Sequence, residues 1–209
     1  MIVIGITGSV GTGKTETSSF FKRQKVPVFD SDYEVSLLYK KPVVLKLIQE
    51  QFPLAFKGDR LLKEELASIV FEDKKKLLLL EKIIYKFLNK SRYSWIRRQF
   101  RNRKRLVVLD VPLLFEKDNK RKYDKTLVVT CSEKIQKIRV LKREGWNKRR
   151  LVLTKRQQLT DKKKKKLADI VVYSDRGKRY IYNTVNDILN KSIYFKKRSN
   201  NKVISNFKK

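Results

Sequence analysis

The sequence predicts an α/β protein built on a doubly wound, parallel sheet of five strands. Two observations carry this prediction. Short apolar runs of the kind that parallel sheets bury alternate with longer segments whose apolar residues recur at helical spacing. A glycine cluster follows the first apolar run directly and precedes a helical segment, which is typical of strand-to-helix connections in such sheets.

Each strand is predicted from a β-branched or leucine-rich run, and together these runs cover residues 2–7, 26–29, 106–110, 126–130 and 170–173. The helices predicted around them cover residues 14–25, 133–143, 149–167 and 178–190. The interval 41–105 is also helical in its spacing, and no strong strand is expected to interrupt it. Because ligands of doubly wound sheets bind beyond the carboxyl ends of the strands, functional residues are expected directly after strands.

The net charge of +32 is the most unusual feature of the composition. Such a field attracts polyanions with little regard to sequence, so a nucleic-acid partner is one explanation. Lysine and asparagine are spread over almost the whole chain, so the sequence favours a biased genome composition together with small anionic substrates. No obligatory nucleic acid is therefore expected. The chain contains no histidine, which excludes catalytic triads that use one.

A cytoplasmic protein with no membrane segment is expected. The single cysteine, Cys131, cannot form an internal disulfide, which fits a reducing compartment. No apolar stretch approaches the roughly 20 residues that a membrane span needs. The amino terminus has no basic leader before its apolar run, so this run is interpreted as a strand. The oligomeric state cannot be predicted from these features.

The glycine cluster matches the full phosphate-loop pattern over the eight residues Gly8, Ser9, Val10, Gly11, Thr12, Gly13, Lys14 and Thr15. Glycines allow the backbone amides to turn inward around a phosphate, and the helix that follows presents its positive end. In such loops the lysine reaches the β- and γ-phosphates, and the last hydroxyl can ligate Mg²⁺. We therefore predict that these residues and the adjacent Glu16 bind a nucleoside triphosphate, which donates its terminal phosphoryl group.

Two carboxylates, Asp30 and Asp32, follow the second predicted strand, on the side where the phosphates must lie. A carboxylate there can accept a proton from an attacking hydroxyl or hold the metal through water, and we predict that Asp32 has one of these functional roles. Asp30 is assigned to acceptor binding. A structural alternative is that Asp30 or Ser31 caps the following helix.

The third predicted strand ends at Asp110, a position that places a carboxylate near Mg²⁺ in phosphate-loop proteins. Thr15 and Asp110 are therefore the predicted metal ligands, directly or through water. The next stretch is unusually apolar for a loop that follows a strand. It either lines an acceptor pocket or belongs to the core, and the residues predicted to contact the acceptor are Pro112, Leu113, Leu114 and Glu116.

Eight cationic side chains lie between residues 139 and 156, and a positive helical hairpin there could close over a triphosphate. Most of these charges are expected to be solvated, with only one or two acting on the transferred group. The lysine run 162–166 is expected to be a solvent-exposed helix face.

Read together, these segments resemble the dephospho-coenzyme A kinase family. The resemblance covers roughly residues 2–177 and rests on the glycine loop, the Asp-Ser-Asp at 30–32, the Asp-Val-Pro-Leu-Leu-Phe-Glu at 110–116, Arg143-Glu144, Gln158 and the Ala-Asp-Ile-Val at 168–171. It implies ATP-dependent phosphorylation of the ribose 3′-hydroxyl of dephospho-coenzyme A. It also implies that Asp32 acts as the base and that Arg143 is the lid arginine, while Lys14 acts on the phosphates.

The expected organisation is one phosphate-loop kinase domain over residues 1–192, with a helical acceptor-side insertion at about 41–105 and a helical lid at about 143–165. Residues 193–209 form a basic tail. The chain departs from the family pattern at Tyr85-Lys86, at Tyr173-Ser174 and at Glu144. These departures leave another small-molecule acceptor open as an alternative, and the net charge leaves a nucleic-acid-stimulated ATPase open.

Overall fold

The computed structural model describes residues 1–118 and 120–192, so the predicted tail 193–209 lies outside the described residues. The amino-terminal part contains β1 (Ile2–Thr7), α1 (Lys14–Arg23), β2 (Val28–Asp30), α2 (Ser31–Leu38), α3 (Pro42–Gln51), β3 (Phe56–Lys57), β4 (Arg60–Leu61), α4 (Lys63–Glu72), α5 (Lys74–Arg101) and β5 (Leu106–Asp110). The remainder contains α6 (Leu114–Lys117), β6 (Lys125–Thr130), α7 (Glu133–Leu141), α8 (Lys148–Arg156), α9 (Asp161–Leu167), β7 (Ile170–Tyr173) and α10 (Lys178–Lys191).

The five long strands form one parallel sheet in the order β2-β5-β1-β6-β7, which confirms the predicted fold class. The strand β1 lies at the centre, with β5 on one side and β6 on the other. The direction of winding reverses at this strand, and ligands of such sheets bind at that point. The loop after β1 is therefore placed where a nucleotide is expected to bind.

The two faces of the sheet are covered by different helices, and alternate side chains of β1 enter different cores. Val3 belongs to a core formed with residues of α2 through α5. Ile2, Ile4 and Ile6 belong to a second core, formed with α1 and α10. This layering explains why β1 and β5 consist almost entirely of apolar residues, since both of their faces are buried.

The interval 41–105 is mainly helical, as predicted, and two short elements between β2 and β5 were not foreseen. The short helix α2 begins immediately after β2, and the hairpin β3-β4 separates α3 from α4. The hairpin turns at Gly58, whose φ of 60° suits glycine. Its strands have two residues each and are too short to give a recognisable apolar alternation.

Gly5 allows the segment after β5 to pack directly against β1. A Cβ placed there would lie 2.5 Å from Leu114 Cδ1 and 2.7 Å from Tyr123 Cδ1. Both neighbours are buried and lack room to move. We expect Gly5→Ala to lower the free energy of unfolding by about 1–3 kcal/mol, as overpacking of a filled core does. Chemical denaturation of the two proteins would measure this, and an unchanged midpoint would contradict the close packing.

Candidate active site

The phosphate loop is a tight turn whose shape requires glycine at several positions. Gly11 and Gly13 have φ angles of 78° and 90°, and Gly13 is the residue from which α1 begins. A Cβ on Gly8 would lie 2.6 Å from the Val129 carbonyl oxygen. Thr12 closes the turn, since its hydroxyl donates to the Ser9 carbonyl at 2.8 Å. The turn therefore ends at the amino terminus of α1, where free backbone amides and the helix dipole stabilise a bound anion.

Side chains from α7 and from the residue that follows β7 support this loop through hydrogen bonds. The amide of Gln136 donates to the Val10 carbonyl at 2.8 Å. The Ser174 hydroxyl donates to the Thr12 carbonyl at 2.5 Å and accepts from Arg139 Nη1 at 2.7 Å. The departure from the family pattern at Ser174 thus lies against the nucleotide loop, and Arg139 is brought close to it.

Lys14 forms an ion pair with Asp110, and the two side chains are mostly buried. The Ser18 hydroxyl donates to the other oxygen of Asp110 at 2.9 Å, which fixes the carboxylate. Burial raises the pKa of Asp110, while Lys14 and Ser18 oppose this increase. The predicted phosphate-binding lysine and the predicted metal-binding carboxylate are therefore adjacent, at the carboxyl ends of neighbouring strands.

The next two residues of α1 have different surroundings. Thr15 is exposed, as a hydroxyl must be if it is to reach a ligand of the loop. The carboxylate of Glu16 lies 3.9 Å from Lys178 Nζ of α10, so the structure directs it toward that helix.

The two aspartates after β2 have different roles in the structure. Asp30 caps α2, because its Oδ1 accepts from the Tyr33 backbone amide at 3.0 Å. This is the capping alternative considered from the sequence, and Asp30 does not line the cleft described below. Asp32 lies in the first turn of α2 and is exposed to that cleft.

The pKa of Asp32 is raised above its ordinary value. The largest cause is reduced solvation by the surrounding protein, which acts even though part of the side chain faces open solvent in the cleft. Lys14 lowers the pKa, while Asp110 and Asp30 raise it. Asp32 is therefore electrostatically coupled to the phosphate loop and also lies on the cleft wall.

A cleft of about 540 Å³ opens between α2, α5 and the segment that follows β5. One wall is apolar and comes from α5, where residues on one face of the helix line the cleft: Leu77, Leu80, Ile84 and Leu88. This row spans about 16 Å along the helix axis at the usual rise per residue. An elongated ligand with a substantial apolar part fits such a wall better than a compact polar one.

The cleft also contains polar side chains that the sequence did not predict to lie there. Tyr85 lines it, and reduced solvation raises the pKa of its hydroxyl, with a smaller contribution from Glu81. Arg92 is 2% exposed, and its Nη1 donates to Asp118 at 2.7 Å. The Tyr123 hydroxyl donates to the same carboxylate oxygen of Asp118 at 2.7 Å. The sequence contained a signal for Arg92, because this arginine lies within an apolar stripe of a predicted helix. Few arginines are fully buried without a partner, so a buried pair could have been expected there.

The apolar stretch after β5 divides between the cleft and the core. Pro112 and Leu113 line the cleft, and their contact with an acceptor stays a prediction. Leu114 is fully buried and packs against Gly5, so its prediction as an acceptor contact is replaced by a role in the core. Glu116 is not among the residues that line the cleft. Its Oε1 accepts from the Leu159 backbone amide at 2.8 Å and lies 3.0 Å from Lys164 Nζ.

The predicted lid consists of two helices instead of one continuous helical segment over 149–167, because α8 ends at Arg156 and α9 begins at Asp161. Arg143 is exposed in the turn after α7, where Glu144 is exposed beside it. The Arg150 guanidinium stacks over the Trp146 ring at 4.7 Å, which orders the start of α8.

The prediction of a fully solvated lysine run at 162–166 is wrong at one position. Lys164 is completely buried, whereas its neighbours in the run are exposed. A helix of five consecutive lysines gives no periodic signal that would identify the inward-facing one.

The residues at the loop fit a magnesium–nucleotide complex. In the described part of the chain, no three acidic, histidine or cysteine side chains form a metal-binding group. Mg²⁺ at such sites commonly takes one or two protein ligands and completes its shell with substrate phosphates and water. The exposed Thr15 hydroxyl and the Asp110 carboxylate, adjacent to the phosphate loop, match that donor set.

Comparison with known proteins agrees with this arrangement. A family model described as dephospho-CoA kinase matches residues 2–179. The dephospho-CoA kinase of Bartonella quintana (strain Toulouse) is 34% identical over 172 residues, which cover 82% of this chain and 88% of that protein. The crystal structure of TT1252 from Thermus thermophilus has a TM-score of 0.80 at 27% identity, covering 91% of this chain and 97% of that chain. The dephospho-CoA kinase from Campylobacter jejuni shares the fold, with a TM-score of 0.59 at 15% identity and coverage of 91% and 96%.

The matched residues include the phosphate loop, Asp32 and the whole acceptor-side cleft. A family model over most of the chain and a relative at this level of identity lead to one conclusion: the chain belongs to the dephospho-CoA kinase family.

Proposed function

We propose that this kinase transfers the γ-phosphoryl group of ATP to the ribose 3′-hydroxyl of dephospho-coenzyme A, in the cytoplasm and without a nucleic-acid partner. One observation carries the proposal. Asp32 lies on the wall of the acceptor cleft and is at the same time coupled electrostatically to Lys14 of the phosphate loop. It therefore stands where a hydroxyl in the cleft would meet a phosphate in the loop.

The nucleotide is held by the loop and by α1. Backbone amides from Gly8 to Thr15 and the helix terminus bind the β-phosphate, and Lys14 turns from Asp110 to the transferred group. Its ion pair with Asp110 keeps the ammonium at the loop before ATP arrives. Thr15 and Asp110 would hold Mg²⁺, which supplies charge neutralisation between the β- and γ-phosphates. Glu16 is proposed to act only indirectly, given its position beside Lys178.

Asp32 is proposed as the base. Its carboxylate accepts the proton of the 3′-hydroxyl while the bond from that oxygen to the γ-phosphorus forms and the bond from phosphorus to the β-phosphate oxygen breaks. The proton then passes to water, and ADP and coenzyme A leave. A raised pKa makes the ionised carboxylate of Asp32 a stronger base than an ordinary aspartate.

The remaining predicted residues position the substrates. The apolar wall of α5, together with Pro112 and Leu113, is proposed to bind the pantetheine part of the acceptor, whose length suits the row of side chains. Arg143 is exposed and is proposed to contact the transferred phosphate when α8 closes. Closure would also exclude water, which otherwise competes with the acceptor.

The experiment that tests this proposal is an acceptor-dependence assay. Purified protein with Mg-ATP is expected to form ADP only when dephospho-coenzyme A is added, with coenzyme A formed in equal amount by mass spectrometry. Adenosine and adenylate serve as alternative acceptors, and single-stranded RNA serves as a polyanion control. Transfer to one of these acceptors but not to dephospho-coenzyme A, or ATP turnover that depends on RNA and collapses with salt, would overturn the proposal.

A further inference from the structure

One lysine in the run 162–166 is placed unlike the others. Lys164 has no exposed surface, while Lys162, Lys163, Lys165 and Lys166 are exposed on the same short helix. A buried ammonium is unfavourable unless it is paired. Its Nζ lies 3.0 Å from Glu116 Oε1, and the side chain of Glu116 is itself nearly buried.

Glu116 connects this lysine to the acceptor side of the molecule. It belongs to the segment that follows β5, and Pro112 and Leu113 of that segment line the acceptor cleft. The same oxygen of Glu116 also accepts the backbone amide of Leu159 at 2.8 Å. Glu116 thus contacts both ends of the segment 159–164. We call this segment the lid stem, because it leads from α8 toward the sheet.

The opposite side of the lid stem is attached to the nucleotide loop. The carboxylate of Asp161 accepts from the Ser9 hydroxyl of the phosphate loop at 2.6 Å and from the Thr130 hydroxyl at 3.2 Å. Asp161 and Lys164 lie one turn apart on α9. One short helix therefore contacts the nucleotide loop through one side chain and the acceptor segment through another.

The Glu116–Lys164 pair is poorly suited to stability alone. Desolvation cancels much of the attraction between buried charges, and apolar replacements of such pairs are often neutral or stabilising. Glu116 Oε2 is buried and has no hydrogen-bond partner among residues 1–118 and 120–192. The Glu116–Lys164 pair fixes the orientation of the lid stem. An apolar contact is less directional and would define that orientation less well.

We propose that Glu116 and Lys164 are positioning residues that couple acceptor binding to nucleotide binding through the lid stem. The inference rests on the proposed function. An acceptor that fixes the segment after β5 fixes Glu116, which holds Lys164 and Leu159 in place. Asp161 then holds Ser9 in the conformation that binds the triphosphate, so each substrate strengthens the binding of the other.

The test is the affinity for a non-hydrolysable ATP analogue, measured by calorimetry with and without saturating dephospho-coenzyme A. In the unaltered protein we expect the acceptor to tighten analogue binding at least about fivefold. Lys164→Met is expected to reduce that ratio to near one, and Glu116→Gln to reduce it while keeping the Leu159 contact. Asp161→Ala breaks the link at its other end and should also remove the coupling.

Lys163→Met is the matched control, because it removes an exposed lysine from the same helix and should leave the coupling unchanged. The double variant Glu116→Gln/Lys164→Met is expected to lose no more coupling than Lys164→Met alone, as for two residues that act as a unit. If Lys164→Met does not fold, as judged by circular dichroism, Glu116→Gln and Asp161→Ala provide the same comparison.

Two results would overturn the inference. One is that the unaltered protein binds the ATP analogue with the same affinity whether or not dephospho-coenzyme A is present. The other is that a folded Lys164→Met or Glu116→Gln protein shows the same acceptor-dependent increase in analogue affinity as the unaltered protein. Both differ from failure of the proposed function, in which the unaltered protein would not phosphorylate dephospho-coenzyme A at all.

Discussion

Asp32→Asn is expected to lower kcat by about 10²- to 10⁴-fold, the usual contribution of a positioned general base. Asparagine keeps the size of the side chain and can still accept a hydrogen bond, but it cannot take the proton of the 3′-hydroxyl. Affinity for ATP should remain, since Asp32 lies on the cleft and outside the phosphate loop. Coenzyme A formation at saturating substrates, together with calorimetric ATP binding, would measure both effects.

The pH profile separates a base from a merely structural carboxylate. Because the pKa of Asp32 is raised, the unaltered enzyme should lose activity as pH falls through a value above that of an ordinary aspartate. Asp32→Asn should lack that acid limb. A raised folded-state pKa also means that the folded protein binds this proton more tightly than the unfolded chain. Asp32 therefore lowers the stability of the fold at pH values above its folded pKa, so Asp32→Asn is expected to be at least as stable as the unaltered protein at neutral pH, which thermal denaturation would check.

Glu34→Gln is the control, because it neutralises another acid on α2 whose contact with Lys41 lies at the surface. Its activity should match that of the unaltered enzyme. If Asp32→Asn retains turnover within a few-fold, the assignment of the base is wrong.

Lys14→Met is the second large effect, with an expected loss of about 10³-fold in kcat/KM for ATP. The ammonium stabilises charge that develops on the transferred group, and removal of one such donor typically costs this much. Methionine has a similar length and fills the space without charge. Steady-state kinetics at varied ATP concentrations, together with binding of a non-hydrolysable ATP analogue, would show how much of the loss in kcat/KM lies in ATP affinity and how much in phosphoryl transfer.

The same variant should also destabilise the free protein. Asp110 is 5% exposed in its side chain and would lose its only described ion-pair partner, so we expect a cost of about 3 kcal/mol. Adding Asp110→Asn should restore much of that stability without restoring transfer. Lys22→Met, at the other end of α1, should affect neither quantity. A Lys14→Met protein with normal turnover would remove Lys14 from the mechanism.

The phosphate loop and the strands were predictable because their causes are local. Gly11 and Gly13 adopt positive φ angles that other residues rarely adopt, so the glycines in the sequence directly predict the turn. The buried strands β1 and β5 need continuous apolar runs, which the sequence also records. The carboxyl ends of parallel strands share one edge, so the sequence predicts Asp32 and Asp110 on the same side of the sheet as Lys14.

Other features follow from contacts between residues far apart in the chain. Leu114 enters the core because Gly5 of a distant strand leaves space for it. Ser174 and Arg139 reach the nucleotide loop because β6 pairs with β1 and β7 pairs with β6, which brings the end of β7 and the helix α7 to the loop after β1. No pattern within either segment specifies these contacts.

The amino-acid sequence by itself determined the sheet, the phosphate loop and the class of reaction, because each depends on backbone conformation or on residue types at fixed spacing. Only the tertiary structure decided which of five similar lysines is buried and where Glu116 points. Five adjacent lysines are chemically identical in sequence, and burial distinguishes Lys164 only after α9 packs against the segment that follows β5.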